Sequence, residues 1–345
     1  MLGLVKHDQG QYKQAVSLYK KALKIYRKSL PEDHPTLANM YNNIGLAYND
    51  MGGYSKALQF HEKTSRIKEK ALSLNDPDLA LSYNNIGGVY NSMGNYSKAL
   101  QFHKKARKVA ENALPPNHYD LAISYSNIGG VYNMMGDYSK ALQFHEKARK
   151  VAGKALPPNH PDLAISYSNI GGVYNMMGEH SKALGFYEKA HQIIEKTLSP
   201  NHPNLATSYG NIGLLYEDMD NYSKALYFYK KAHTIAEKAW PPNHPDMAIS
   251  YDSIGGVYKA MGNYSKALEF YEKAHKIYVK AEPPNHSNLA TSYNNIGTAY
   301  FGKDDYSKAL PFLEKALSIF QKLFPLTHPH IETLADKINN LKTKM

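Results

Sequence analysis

The chain has 345 residues, a formal net charge of +11 and no cysteine. The lack of cysteine excludes a disulfide framework and thiol chemistry, and the lack of an apolar run of eighteen residues predicts no membrane span. The first residues do not resemble a signal peptide, so we expect a soluble cytoplasmic protein. The positive charge makes nucleic acid and acidic surfaces candidate partners, depending on where the charge lies.

A period of 42 residues runs through the whole sequence. The segment Tyr41–Gly45 reads YNNIG and returns as Tyr83–Gly87. Further copies, without insertions or deletions, begin at Tyr125, Tyr167, Tyr209, Tyr251 and Tyr293. A fixed period of this length is the signature of a solenoid. Stacked repeats form long surfaces and seldom enclose a catalytic pocket.

In chain order, the pattern predicts one solenoid over residues 1–345. Residues 1–34 predict a truncated N-terminal repeat with a complete second helix, and we expect upstream repeats in the parent protein or a frayed end. Residues 35–328 predict seven full repeats of 42 residues. Their first helices are expected near residues 35, 77, 119, 161, 203, 245 and 287. Residues 329–345 predict a C-terminal capping helix, which is polar enough to end the array.

Residues 161–202 show why each repeat is expected to be a helical hairpin. Pro161 suits the first position of a helix, where its missing N–H would be unpaired, and Gly178 suits a left-handed cap. Between them, apolar residues recur at spacings of four, three and four on one helix face. A second helix is predicted from Glu179 to about Leu198, followed by a prolyl break. A coiled coil is excluded, because glycine and proline interrupt every repeat.

The residues of one hairpin resemble the tetratricopeptide repeat pattern. They are Tyr167, Ile170, Gly171 and Tyr174 in the first helix, and Ala183, Tyr187 and Ala190 in the second. Gly171 and Ala183 lack bulk where the two helices are expected to cross. The 42-residue length is similar to the repeats of kinesin light chains and nephrocystin-3, which are longer than the usual 34 residues.

This resemblance implies an all-α, right-handed superhelical solenoid of antiparallel helix hairpins. It also implies a non-enzymatic adaptor that binds extended peptide segments of a partner protein in a concave groove lined by first helices. Groove-facing positions follow the marker tyrosine and the marker glycine. Carried over residue by residue, the implied groove residues are Asn43, Asn85, Asn127, Asn169, Asn211 and Asn295, with Asn84, Asn294, Gly88, Gly130 and Gly172.

The predicted groove is therefore a ladder of carboxamides. An asparagine side chain both donates and accepts, so it can hold a peptide unit with little sequence preference. The alternative is that these asparagines bond to neighbouring turns or to water. The second glycines each cost about 1 kcal/mol relative to alanine in a helix. Close approach of a ligand or of the adjacent helix would explain that cost, and inheritance from one duplicated ancestor is the rival explanation.

The positive charge lies on the predicted second helices. First helices carry Lys259 and Lys303, so a clamp for a C-terminal carboxylate is not expected. The second helices form basic clusters such as Lys140, Lys147 and Lys150. One interpretation is a solvated convex face. Another is an electrostatic binder of acidic protein, nucleic acid or anionic membrane, although nucleic acid is not expected because the tyrosines occupy core positions. A third is a structural module that self-associates end to end.

Sixteen histidines raise the question of metal binding or catalysis. One set precedes the first helices and is expected to cap or connect them: His34, His118, His160, His202, His244, His286 and His328. Members stand one hairpin apart, too far to share one metal ion. His61, His103 and His145 replace a second-helix aromatic and are interpreted as packing residues. No catalytic triad, phosphate loop or zinc spacing is evident, so we predict no enzyme, cofactor, metal or small-molecule substrate.

Overall fold

The computed structural model describes residues 2–73, 75–281, 286–324 and 329–345, without the side chains of residues 8, 329 and 330. These described residues contain 17 α-helices and no β-strand, so the all-α prediction is confirmed. Consecutive helices pack against each other along the whole chain. The right-handed sense of the superhelix stays a prediction. Within the described ranges, no helix is both long and apolar enough to cross a lipid bilayer.

Two kinds of helix alternate. The first helices are α1 (Leu2–Asp8), α3 (Pro35–Asp50), α5 (Pro77–Ser92), α7 (Tyr119–Met134), α9 (Pro161–Met176), α11 (Pro203–Asp218), α13 (Pro245–Ala260), α15 (His286–Gly302) and α17 (Pro329–Lys344). The second helices are α2 (Tyr12–Ser29), α4 (Tyr54–Ala71), α6 (Tyr96–Ala113), α8 (Tyr138–Ala155), α10 (His180–Thr197), α12 (Tyr222–Ala239), α14 (Tyr264–Lys280) and α16 (Tyr306–Leu323).

The helix ends follow the local sequence. Gly178 has a φ of +74°, the left-handed conformation that ends a first helix. Side chains at the next position cap five of the eight described second helices: Asn95 Oδ1, for example, accepts from the Lys98 N–H at 3.2 Å. Before the first helices, histidine Nδ1 accepts a backbone N–H, as in His160 with Asp162 at 3.2 Å.

The expected histidine caps are confirmed at five of the seven positions, namely His34, His118, His160, His202 and His244. His286 differs, because it is the first residue of α15 and not the residue before it. His328 lies outside the described residues.

The predicted small residues at the helix crossing are confirmed by the contacts they make. A methyl group built on Gly171 would lie 2.9 Å from Cδ1 of Tyr187 and 3.3 Å from the carbonyl oxygen of Ala183. In the second hairpin, the same methyl on Gly87 would lie 2.7 Å from Cε1 of His103. Glycine at this position therefore makes room for the large ring of the second helix.

Each hairpin also contains a sandwich of tyrosine, phenylalanine and lysine. In the hairpin of α7 and α8, Phe144 stacks on Tyr132 with ring centroids 5.6 Å apart. Lys140 Nζ lies over the Tyr132 ring, 5.3 Å from its centroid. The same arrangement recurs in six other hairpins with centroid-to-Nζ distances of 4.8–5.6 Å. These lysines therefore belong to the hairpin packing, through a cation–π contact.

The solenoid curves until its beginning meets its sixth and seventh hairpins. A methyl group built on Gly10 would lie 3.2 Å from Cδ of Pro245. Burial raises the pKa of Tyr54, and the nearby Ser287 side chain acts in the opposite direction. His244 is 7 % exposed, whereas the equivalent His118 is 44 % exposed. Two contacts bury His244: the Gly10 turn lies against its ring, and Trp240, which stands where Leu114 stands before His118, stacks on it with ring centroids 4.0 Å apart.

Candidate functional site

A groove of about 660 Å³ runs along the first helices of the N-terminal half. Helices α3, α5, α7, α9 and α11 contribute most of its lining, and second helices α4, α6, α8 and α10 each add one ring at its floor. None of the described residues that line it is Asp, Glu, Lys or Arg. The groove is therefore neutral, apart from any charge on its histidines.

Eight of the predicted groove residues lie in this lining. They are Asn84, Asn85, Asn127, Asn169, Asn211, Gly88, Gly130 and Gly172. Asn43, Asn294 and Asn295 lie outside it. The structure thus brings together the predicted residues of four successive repeats, and places the terminal members of the predicted row elsewhere.

Two of the groove asparagines are oriented by hydrogen bonds between neighbouring first helices. Asn85 Nδ2 donates to Asn42 Oδ1 at 2.7 Å, and Asn169 Nδ2 donates to Ser126 Oγ at 2.9 Å. At these positions the asparagines therefore bond to a neighbouring repeat, as the alternative interpretation expected. Each such bond uses one of the several donor and acceptor sites of the carboxamide, so it orients the group without exhausting it.

The second glycines form part of the groove floor. A methyl group built on Gly88 or Gly130 would have no heavy atom within 4 Å, apart from the glycine's own chain neighbours and helix backbone, while on Gly172 it would lie 3.5 Å from the Tyr187 hydroxyl. Close approach of the adjacent helix is therefore the wrong explanation for Gly88 and Gly130. The space above them faces the groove.

Three buried histidines that were predicted to be packing residues also form part of the site. His61, His103 and His145 line the groove and are 1 %, 3 % and 4 % exposed. Burial lowers the pKa of each imidazole to about 4, so all three are neutral at pH 7. The sequence does distinguish these histidines, because the later hairpins have tyrosine or leucine at the same position of the repeat.

A second row of asparagines was also missed. Asn49, Asn91 and Asn133 line the groove eight residues after each marker tyrosine. Their buried Oδ1 atoms have no hydrogen-bond partner among the described residues. The same holds for both ring nitrogens of His61 and for Nδ1 of His145. His103 differs, because its Nδ1 is 3.0 Å from Asn84 Oδ1. The 42-residue spacing of these asparagines could have revealed this second row from the sequence.

The C-terminal half is charged and bonded internally. Asp252, which replaces a groove asparagine, accepts from the Tyr278 hydroxyl at 3.0 Å and from Asn295 Nδ2 at 3.3 Å. Burial raises the pKa of Asp252 to about 6. Glu217 accepts from the Tyr229 hydroxyl at 2.9 Å, and burial raises the pKa of this carboxyl as well. The polar groups of this half therefore serve one another.

The described residues contain no group of three or more His, Cys, Asp or Glu side chains arranged to hold a metal ion. The arrangement offers hydrogen-bond donors and acceptors along an extended, open groove. Such a surface suits recognition of a long ligand.

The model of the tetratricopeptide repeat family matches residues 1–70, 78–154, 158–238 and 246–322. This chain belongs to the tetratricopeptide repeat family. Its members are solenoids that use extended concave surfaces for binding, so the assignment indicates a protein-interaction scaffold. No curated protein matches the chain in sequence.

A Rap protein and the Cut9–Hcn1 assembly share the fold of this tetratricopeptide protein. A Rap protein complexed with Competence and Sporulation Factor aligns with a TM-score of 0.60 at 17 % identity, covering 99 % of this chain and 96 % of its own. The Cut9–Hcn1 hetero-tetramer of APC/C aligns with a TM-score of 0.54 at 13 % identity, covering 95 % and 52 %. BtubC from P. vanneervenii aligns with a TM-score of 0.49 at 20 % identity, covering 67 % and 91 %.

Proposed function

We propose that this chain is a non-enzymatic scaffold, built as one solenoid over residues 1–345, that holds an extended peptide segment of a partner protein. The observation that carries the proposal is the neutral groove of about 660 Å³, which five consecutive first helices line with equivalent residues. Asn127, Asn169 and Asn211 are three successive rungs of its carboxamide ladder.

The dimensions of the groove support a peptide ligand. Helices pack about 8–10 Å apart, and an extended chain advances about 3.3–3.6 Å per residue. Each repeat therefore matches about three residues of an extended ligand. Five first helices accordingly match a segment of about ten residues. The Rap structure, which was solved with a bound factor, supports a scaffold of this fold that binds a partner.

The proposal is tested with a random decapeptide library displayed on phage and selected on the wild-type protein. The dissociation constant of an enriched, fluorescein-labelled decapeptide is then measured by fluorescence anisotropy. Replacing Asn127, Asn169 and Asn211 together by alanine should weaken binding at least tenfold, because each carboxamide hydrogen bond contributes about 0.5–1.5 kcal/mol. Circular dichroism should show unchanged helicity.

A matched control replaces three exposed serines of the same repeats, Ser139, Ser181 and Ser223, by alanine. These serines open the second helices and lie outside the groove lining. This variant should bind the decapeptide like the wild-type protein. If no peptide is enriched, or if both triple variants bind equally well, the proposed function is wrong.

A further inference from the structure

A second pocket lies between the second helices α10 and α12, next to the first half of α11. Its volume is about 590 Å³, and small-molecule sites commonly have volumes of about 300–1,000 Å³. It has no described lining residue in common with the groove that the first helices form. The pocket is therefore a separate surface on the side of the second helices.

This pocket combines an apolar base with a cation. Leu205 and Ile235 line it and are 7 % and 9 % exposed. Nζ of Lys231 lies 5.2 Å from the ring centroid of Tyr209 and 4.7 Å from that of Tyr227. Two cation–π contacts therefore hold the ammonium group at the pocket. The ammonium group has three N–H donors, so it can bind an anion in this position as well.

Tyr227 is the aromatic residue that distinguishes the pocket. It is 55 % exposed, more than any other tyrosine of the described residues. Its ring packs edge-on against Phe228, with ring centroids 5.2 Å apart, and this contact helps to fix its orientation. A tyrosine side chain provides a large, rigid contact area at a low cost in conformational entropy. The exposed face of Tyr227 is therefore suited to contact a flat apolar group.

The pocket depends on side chains that the preceding repeat lacks. Three residues of α12 differ from those of α10 at the same positions of the repeat: Tyr227 for Gly185, Lys230 for Glu188 and Thr234 for Gln192. Thr234 Oγ1 donates to the carbonyl oxygen of Lys230 at 3.0 Å, so this short side chain is bonded to its own helix. The equivalent cleft beside α10 has a volume of about 170 Å³. The larger pocket is therefore a feature of α12 and not of the repeat itself.

The charge of the pocket favours an anionic ligand. Lys230 and Lys231 are its cations, and Glu195 is the one acidic side chain among the described lining residues. A hydrogen bond from an ammonium group to a carboxylate is charge-assisted and stronger than a neutral one. With one excess positive charge, the pocket matches a ligand that has one negative charge.

The apolar side chains determine the rest of the ligand. Leu198, Leu205 and Ile235 offer aliphatic contact, and removing apolar ligand surface from water there is favourable. The exposed ring of Tyr227 adds an aromatic face, and aromatic rings pack on each other with centroids about 4.5–7 Å apart. A molecule with one aromatic body and one carboxylate group therefore satisfies both the apolar and the charged residues.

We propose that this pocket binds a small aromatic acid with a single carboxylate group. The carboxylate accepts hydrogen bonds from the ammonium groups of Lys230 and Lys231, and the aromatic body covers Leu205 and the exposed face of Tyr227. The site lies outside the peptide groove, so the scaffold has a second ligand on the side of its second helices. Binding there does not depend on the peptide that is proposed for the groove.

The test measures the dissociation constant of naphthoate by isothermal titration calorimetry on the full chain. The double variant Tyr227→Gln, Lys230→Glu gives α12 the residues that α8 has at these positions, Gln143 and Glu146. It should therefore keep its melting temperature and bind naphthoate at least tenfold more weakly. The matched control Lys104→Glu makes the same change of charge at the same position of α6, and it should bind naphthoate like the wild-type protein.

Two further ligands separate the contribution of the charge from that of the ring. Naphthamide keeps the ring system and lacks the charge, whereas acetate keeps the carboxylate and lacks the ring system. Both should bind the wild-type protein at least tenfold more weakly than naphthoate does. Added salt should also weaken the binding of naphthoate, because it screens the attraction between exposed charges.

Several results would overturn the proposed site. It is wrong if naphthoate does not bind the wild-type protein, if naphthamide binds equally well, or if the double variant keeps the wild-type affinity. An equal loss in Lys104→Glu would mean that the general charge of the second helices attracts the ligand, and not this pocket. A loss in the triple variant of Asn127, Asn169 and Asn211 would place the ligand in the peptide groove. Each of these results leaves the decapeptide test unaffected, so the proposed function would still stand.

Discussion

Gly87 and Gly88 are neighbours in α5, yet their surroundings predict opposite effects of alanine substitution on stability. A methyl group on Gly87 would meet the His103 ring at 2.7 Å, whereas one on Gly88 would meet nothing within 4 Å beyond its own helix. Alanine at Gly88 should therefore stabilise the fold by about 1 kcal/mol through helix propensity. Alanine at Gly87 should destabilise it, because overpacking costs about 1–3 kcal/mol. Urea unfolding of both variants measures the difference, and shifts of the same sign would contradict this account.

The buried histidines should make the fold sensitive to acid. In the folded protein the pKa of His103 is about 4, below its ordinary value of 6.5. Between these values the unfolded chain binds more protons, so stability falls as the pH falls from 7 towards 4. Each pKa unit corresponds to about 1.4 kcal/mol, so one such histidine lowers the free energy of unfolding by roughly 3 kcal/mol over this range. The stability of the variant His103→Tyr relative to the wild-type protein should therefore increase as the pH decreases. Urea unfolding at several pH values checks this, and a pH-independent difference would refute it.

Five of the asparagines predicted from the sequence line the groove, whereas the row of partnerless atoms was not predicted. Periodicity and the family pattern placed Asn85 and Asn169 on the groove side of their helices, because both depend on position within one repeat. Whether Asn91 or Asn175 finds a partner depends on the residues at its own and neighbouring repeats, such as His180 and Asp218. Those pairings arise only in the packed array.

At the scale of the element, α10 is one of three second helices, with α2 and α4, whose N-cap residue makes no side-chain cap hydrogen bond. Asn221 and Asn263 accept a backbone N–H with their side chains, whereas Glu179 makes no such bond. Its carboxylate instead lies 2.6 Å from Lys182 Nζ on the surface, an exposed contact of little energetic value. Glu179→Asn should therefore stabilise the protein by about 0.5–1 kcal/mol. The reciprocal variant, Asn263→Ala, should destabilise it by about 1 kcal/mol. Thermal unfolding tests the pair, and an unaltered midpoint in both would contradict the capping role.

The helices were predictable because the residues near each end determine where a helix begins and ends. Proline at the first position and glycine after the last one defined α9 and its sisters to within a residue or two, and these signals act over one turn. Two first helices lack the proline. In α15 serine replaces it at Ser287 and the helix begins one residue earlier, at His286, whereas α7 has Tyr119 in its place and still begins there. The lack of the proline ring therefore permits an earlier start without requiring it.

At the scale of the whole molecule, the contact between the two superhelical turns could not be predicted from the sequence. It joins Gly10 to Pro245 and Tyr54 to Ser287, more than 230 residues apart. A repeat pattern specifies how each hairpin packs on the next, but the overall curvature accumulates from small rotations at every interface. The position at which the array meets itself therefore follows from the assembled fold alone.

This contact should hold the array in a compact shape, and removing it should let the array extend. Tyr12 and Tyr54 are the partly buried rings on the N-terminal side: burial and the charges of Asp50 and Asp246 raise the pKa of Tyr12 to about 12. Burying one such ring contributes about 1.5–3 kcal/mol, and 1.4 kcal/mol changes an equilibrium tenfold. The double variant Tyr12→Ala, Tyr54→Ala should therefore show a larger radius of gyration in small-angle X-ray scattering.

The equivalent tyrosines of the next two hairpins supply the matched control. Tyr96 and Tyr138 open α6 and α8 as Tyr54 opens α4, and the contacts of Gly10 and Tyr54 with the distant hairpins do not involve them. The variant Tyr96→Ala, Tyr138→Ala removes the same side chains from the same place in the repeat, so it should keep the wild-type radius of gyration. Expansion in both double variants would mean that the rings act within their own hairpins. Expansion in neither would mean that the stiffness of the stacked hairpins alone sets the curvature.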